Sequence, residues 1–204
     1  MGVSTVIVAR TDAEAATLLD SNIDGRDHPF ILGGTVPGLP SLAEIIEAAK
    51  KNGKDVEVVS AEWTKQANLM TFGDAVLKKI DSLLGASPAK KEQMRRMWTS
   101  AEPNTLSNSK ARKVADKIFG QKDSIYFDWE LCRVREGYYL INPGIEYCIQ
   151  RARAYAPYSD LIWMETAIPA IQDAREFSHG VRVSLSFARL ILRISVACAW
   201  LVLS

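Results

Sequence analysis

Two short apolar runs that each break off into charge constrain this chain most. Residues 6–16 read Val-Ile-Val-Ala-Arg-Thr-Asp-Ala-Glu-Ala-Ala, a β-branched run that turns polar at Arg10, Thr11 and Asp12. Residues 160–166 read Asp-Leu-Ile-Trp-Met-Glu-Thr, a second apolar run that closes on the carboxylate of Glu165. Short runs bounded by polar residues in this way are the pattern of strands buried on both faces. In barrels of parallel strands the chemistry sits where the strands end, so Arg10 is placed to meet an anion.

The residues between the two runs read mainly as helix. Residues 13–19 are helix-compatible, and Asp24-Gly-Arg-Asp-His-Pro29 breaks them with turn formers. Three glycines and two prolines within residues 33–40 mark the clearest boundary, placed after residue 34. Ser41 with Glu44 three residues on predicts a capping box, followed by an apolar stripe at Leu42, Ile45, Ile46 and Ala49. Further stripes follow at Val59, Trp63 and Ala67, and at Phe72, Val76, Ile80 and Leu83. Ser87-Pro88 opens another helix, on which Met94, Met97 and Trp98 are expected on one face. Ala111, Val114, Ala115 and Ile118 form the last stripe of this block, ended by Gly120.

From residue 125 the pattern turns polar and aromatic ahead of a helix over residues 145–156, stopped by Pro157. After the second apolar run, residues 169–177 read as helix again. With the helical block set aside, strands alternate with helices, which gives the α/β class and a parallel sheet. The expected architecture is an incomplete TIM-type (β/α)8 barrel segment interrupted by an all-helical subdomain. Its parts are 1–34 (strand, helix and loop), 35–124 (helical insertion), 125–181 (helix, strand, helix) and an apolar tail, 182–204. Two strands cannot close a barrel, so the chain is expected to form part of one.

Charge excludes one class of partner. With 25 basic against 24 acidic residues the chain has no field to gather a polyanion, so no nucleic-acid partner is expected. Lys90, Lys91, Arg95 and Arg96 lie beside Glu92 at helical spacing, as a solvated face does. Cys132, Cys148 and Cys198 are odd in number and widely spaced, which argues for free thiols; Cys148 reads as a small core residue. His28 and His179 are too scattered to build a zinc site with them. No secretory or other targeting signal is readable at the N-terminus. Residues 183–203 approach the length of a membrane span, but Arg189 and Arg193 each cost roughly 2.5–3.5 kcal/mol at mid-membrane. Apolar residues return only about 0.3–0.6 kcal/mol each, so insertion is near balance and membrane association is not expected.

Four segments carry a family resemblance: residues 7–17 (Ile-Val-Ala-Arg-Thr-Asp-Ala-Glu-Ala-Ala-Thr), 22–33 (Asn-Ile-Asp-Gly-Arg-Asp-His-Pro-Phe-Ile-Leu-Gly), 135–139 (Arg-Glu-Gly-Tyr-Tyr) and 154–166 (Ala-Tyr-Ala-Pro-Tyr-Ser-Asp-Leu-Ile-Trp-Met-Glu-Thr). In this order, around a helical block, they resemble isocitrate lyase of the eukaryotic type and its relative 2-methylisocitrate lyase. The resemblance implies a carbon–carbon lyase of the glyoxylate cycle, which uses Mg2+ to cleave isocitrate to glyoxylate and succinate. It also implies a homotetramer and a cytoplasmic or glyoxysomal (peroxisomal) location.

By that resemblance Arg10 matches a substrate-binding arginine, and its planar fork suits a carboxylate. An ion pair with Asp12 or Asp160 is the structural alternative. Glu165 matches a carboxylate that supports the waters around the metal without binding it directly. Thr11 and Asp12 are expected to shape the strand end, and Arg135 and Glu136 to help close the site or to pair with each other. The family's Lys-Lys-Cys-Gly-His segment, with the acid cysteine, is absent from these 204 residues, as are the magnesium-binding aspartate and the Ser-Gly-Trp loop, and the apolar tail, 182–204, does not match the family. No catalytic residue is therefore assigned, and the chain is expected to be a fragment inactive by itself. The alternatives are 2-methylisocitrate lyase, yielding pyruvate and succinate, and a non-catalytic helical interaction module over residues 41–120.

Overall fold

The computed structural model describes residues 5–166, 168 and 170–183. The described residues divide into two compact units, one drawn from residues 5–17 and 143–183, the other from residues 18–142. Helices and short strands are mixed, which places the protein in the α/β class. The expected tail, 182–204, lies almost wholly outside the described residues.

In the first unit, β1 (Val8–Thr11) pairs in parallel with β6 (Leu161–Met164), with Val8 opposite Leu161 and Arg10 opposite Trp163. Parallel neighbours need a crossover, and helix α6 (Ile145–Tyr155) leads into β6 and packs against both strands. Helix α7 (Ile171–Val183) packs on α6. Thr11, Ile162 and Met164 of the strands are buried, as are Cys148 and Ala152 of α6 and Phe177 and Val181 of α7. Period-two alternation turns Val8 and Arg10 the other way.

The strands are therefore buried on one face, not on both. Val6, Ile7 and Val8 are 50–59% exposed. Their β-branched run reflects strand propensity. Among the described residues β1 has one strand neighbour, β6, so its other edge is unpaired, and the exposure of Val8 and Arg10 marks the uncovered face. The helix expected over residues 13–19 does not form either. The Asp12 carbonyl accepts the amides of Ala15 and Ala16 in a turn, and β2 (Leu18–Leu19) pairs instead. Seven residues without a cap return too few hydrogen bonds to offset helix nucleation.

In the second unit, β2 pairs antiparallel with β5 (Tyr139–Leu140), and β3 (Leu32–Gly33) with β4 (Met70–Thr71). Residues 18–34 thus fold with the helical block, and the units part at Thr17–Leu18 and Asn142–Pro143. The five helices of this unit are α1 (Leu42–Lys51), α2 (Val56–Ala67), α3 (Phe72–Ser82), α4 (Pro88–Thr99) and α5 (Asn108–Phe119). The capping box is present: Ser41 Oγ accepts the Glu44 amide at 3.3 Å, and Glu44 accepts the Ser41 amide at 2.7 Å. The Ser41 amide, and after it the Ser41 hydroxyl donating to the same carboxylate at 2.8 Å, hold the Glu44 carboxyl below its ordinary range. Ser87 caps α4, and Gly120 ends α5 at φ 69°, where a β-carbon is disfavoured.

The apolar stripes converge as the spacing predicts. Phe72, Val76, Ile80, Met94, Trp98, Ala111 and Ala115 form one core, and Leu42, Trp63, Ala67 and Cys132 a smaller one. Met97 is a correction. It stands at the flank of the stripe set by Met94 and Trp98 and is 45% exposed. Arg112 ties the larger core to the chain after α5, donating to the carbonyls of Ile125 and Phe127 while lying over the Phe72 ring.

Gly33 shows how tight this packing is: a β-carbon there would stand 2.6 Å from the Phe127 ring. Gly33→Ala is expected to destabilise the chain by about 1–3 kcal/mol, as overpacking does. Urea unfolding measures it, and Phe127→Leu in the same chain is expected to recover part of the loss.

Candidate functional site

The site grows out of the β1–β6 register. Arg10 stands opposite Trp163, and the pairing continues past the strands, with the Glu165 amide donating to the Thr11 carbonyl at 2.9 Å. The two chains therefore turn polar at the same level, and Asp12 and Glu165 arrive together at the carboxyl ends of the strands. Arg10 Nη2 lies 2.7 Å from Glu165 Oε2 and 3.7 Å from Asp12 Oδ2. Its guanidinium carbon sits 5.4 Å from the centre of the Trp163 ring, in cation–π range. Around them is an open hollow of about 260 Å³, lined also by Ala15, Ala16 and Thr166.

This geometry pre-orients a cation. Both ion pairs run through Nη2, while the guanidinium carries five N–H donors, so the rest of the fork remains to receive a planar oxyanion. Trp163 and Glu165 fix the plane of the fork beforehand. One cation with two carboxylates leaves the cluster net negative, so Arg10 would bind an anion by geometry and not by field.

Thr11 points the opposite way from Arg10. Its side chain is buried, its Oγ1 accepts the Ala13 amide at 3.4 Å, and its hydroxyl faces the Cys148 thiol at 3.9 Å. Asp160, the other partner considered for Arg10, accepts the Ile7 amide at 2.9 Å at the start of the strand pair. Arg135 and Glu136 lie in the other unit, exposed in the turn before β5. The ion pair of that turn joins Arg133 to Glu130 at 3.1 Å.

Two further residues belong to the site, Trp163 beneath the guanidinium and Thr166 in the lining of the hollow. Trp163 supports Arg10 through register, which sequence does not reveal until the partner strand is known. Thr166 is 5% exposed, and its Oγ1 has no hydrogen-bond partner among the described residues. Its signal was weak, a lone hydroxyl directly after the carboxylate that ends the strand.

Cys132 and Cys148 are free, buried thiols, pushed by burial up to about 12 and about 11 respectively. Neither is placed as an acid or a nucleophile at neutral pH. His28 is tied on both ring nitrogens, Nδ1 accepting the Asn108 amide at 3.0 Å and Nε2 lying 2.8 Å from the Asn22 carbonyl. Among the described residues no group of three or more His, Cys, Asp or Glu could hold a metal ion, and no helix is long and apolar enough to cross a membrane.

A parallel strand pair with a crossover helix defines an α/β protein, a class in which ligand sites lie where the strands end, and here a charged cluster stands at that place. The chain belongs to the isocitrate lyase family, whose model it matches over residues 1–202. It is 40% identical to isocitrate lyase of Oryza sativa subsp. japonica over 207 residues, covering 98% of this chain and 36% of the relative. It is equally 40% identical to isocitrate lyase of Saccharomyces cerevisiae, covering 96% of this chain and 35% of the relative. A mitochondrial 2-methylisocitrate lyase of Hypocrea atroviridis is 34% identical over 98% of this chain and 36% of its own length. The chain thus spans about a third of the relatives it matches.

Three expected outcomes check the Arg10 ion pair and the two buried thiols. The Arg10 and Glu165 side chains are 47% and 37% exposed, so Arg10→Gln is expected to change unfolding free energy by less than about 1 kcal/mol. Cys132 and Cys148 are expected to react with iodoacetamide at least about a hundredfold more slowly in the folded chain than in denaturant, read by peptide mass spectrometry. Both thiols ionise later in the fold than in the unfolded chain. Their contribution to stability is therefore expected to decline as pH rises above about 9.

Proposed function

We propose that this chain supplies part of the substrate site of an isocitrate lyase, the enzyme of the glyoxylate cycle that cleaves isocitrate to glyoxylate and succinate. The observation that carries the reading is Arg10, stacked on Trp163 and held by Glu165 at 2.7 Å, at the carboxyl end of a parallel strand pair. In such a cleavage a base takes the hydroxyl proton of the substrate and the carbon–carbon bond breaks. The electron pair stays on the succinate fragment, which an acid then protonates. Arg10 contributes by gripping a substrate carboxylate through its free N–H edge, so that the reacting bond is held in place. Asp12 and Glu165 orient Arg10, and Thr11 locks the strand end from behind.

On this reading β1, α6, β6 and α7 belong to a TIM-type barrel, and the helical unit is an insertion between its strands. Arg135 and Glu136 remain candidates for closing the site. Magnesium belongs to the family chemistry. The donors present here do not by themselves make a site for it, since Glu165 is committed to Arg10 and no three-donor cluster accompanies it among the described residues. A homotetramer in the cytoplasm or glyoxysome completes the reading. The first substrate is isocitrate because identity to isocitrate lyases is 40% against 34% for the 2-methylisocitrate lyase. One methyl group changes binding by only about 1–3 kcal/mol, so 2-methylisocitrate is the second reading.

The test joins residues 1–182 to the flanking segments of the yeast relative in place of its own. Such a chimaera is expected to release glyoxylate from isocitrate, and Arg10→Gln to lower its kcat/KM at least about a hundredfold. Full activity in the Arg10→Gln chimaera would remove the assignment. The 204-residue chain alone is expected to release no measurable glyoxylate.

A further inference from the structure

The helical unit holds a second hollow, of about 260 Å³, whose lining includes Lys78, Lys79 and Ser82 of α3, together with Thr35, Asn68 and Tyr126. Both lysines are fixed. Lys78 Nζ donates to Asn68 Oδ1 at 2.9 Å. Lys79 Nζ donates to the Ser124 carbonyl and lies 5.1 Å from the centre of the Phe119 ring. Asn68 is anchored in turn: its Nδ2 donates to Thr35 Oγ1 at 2.6 Å, and its carbonyl accepts from the same hydroxyl at 2.9 Å.

The charges around this hollow do not cancel. No carboxylate lines it, and neither lysine has an ion-pair partner among the described residues. The acids nearest in sequence are engaged elsewhere. Asp74 accepts the Thr71 hydroxyl at 2.8 Å, and Asp81 pairs with Arg95. Asp116 accepts the Ser124 amide at 3.1 Å, the bond that chiefly holds its carboxyl below the ordinary range. Each ammonium has three donors and spends one, so two remain on each. Solvated surface lysines swing freely on their stems, whereas these two are pinned by a side-chain amide on one hand and by a carbonyl and a ring on the other.

We propose that Lys78 and Lys79 form an oxyanion-binding site on the helical unit, with Tyr126 at its rim. Its ligand is a small molecule carrying a phosphate or carboxylate group, since the hollow is smaller than those that take drug-sized ligands. The site is separate from the Arg10 cluster and stands whether or not the lyase reading holds.

The test titrates the full 204-residue chain with inorganic phosphate at constant ionic strength, following backbone amide shifts. Saturable shifts are expected at residues 35, 68, 78–82 and 124–126. Lys78→Gln, at an exposed position, is expected to weaken phosphate binding about tenfold, whereas Lys90→Gln on α4 leaves it unchanged. Malonate as a second titrant separates the two ligand classes, since binding of phosphate alone points to phosphate esters and binding of malonate alone to polycarboxylates. Shifts that do not saturate with either titrant, or binding that survives Lys78→Gln undiminished, would overturn the proposal. Should Lys79→Gln unfold the chain by releasing the Ser124 carbonyl, the Lys78→Gln comparison decides alone.

Discussion

The parallel register between residues 8–11 and 161–164 is the constraint on which the rest of the first unit depends, because it decides which side chains share a level. With Arg10 opposite Trp163, the guanidinium meets an aromatic face and, two residues further on, both carboxylates. A slip of one residue would turn one strand's side chains to the other face and place Met164 beside Arg10. Register is protected from the buried side. Thr11, Ile162 and Met164 all contribute to the packed layer beneath the helices, and a slip would expose Ile162 while burying charge.

The cluster at the strand ends differs from an electrostatic trap. Arg10 is outnumbered by Asp12 and Glu165, so the cluster's charge does not draw an anion from solution. Its asset is order: a planar fork already clamped on one edge has less conformational freedom to lose when the other edge closes on a ligand. That design makes orientation, and not stability, the contribution of the ion pair.

Much of this was legible in the sequence, for reasons that differ by element. The helices of the second unit announce themselves through caps and stripes, and Ser41 with Glu44 or Ser87 with Pro88 marks a boundary to within a residue. Such signals are local and need no partner. The strands are legible but their burial is not, because β-branched residues at 6–8 report propensity for extended backbone and say nothing of what lies on each side. Residues 13–19 misled because small residues permit a helix without requiring one, and the pairing of Leu18 and Leu19 with β5 is a long-range event. Arg10 and Glu165 stood out as charges closing apolar runs, whereas Trp163 and Thr166 acquire meaning only once the two strands are side by side. The lysine hollow was invisible for the same reason, since α3, the Asn68 cap and the segment after α5 meet only in three dimensions.

The short ladder between β2 and β5 has an effect out of proportion to its size. Leu18 opposite Leu140 fastens the entry and exit of the second unit side by side, so the 149 residues between Thr11 and Leu161 no longer act as one long tether. Only the spans 12–17 and 143–160 remain to be gathered, which lowers the entropic cost of closing β1 onto β6 by about 1.5 kcal/mol. A block fastened at its own two ends in this way behaves as a cassette: it can lengthen, shorten or diverge between Leu19 and Tyr139 without altering the β1–β6 register.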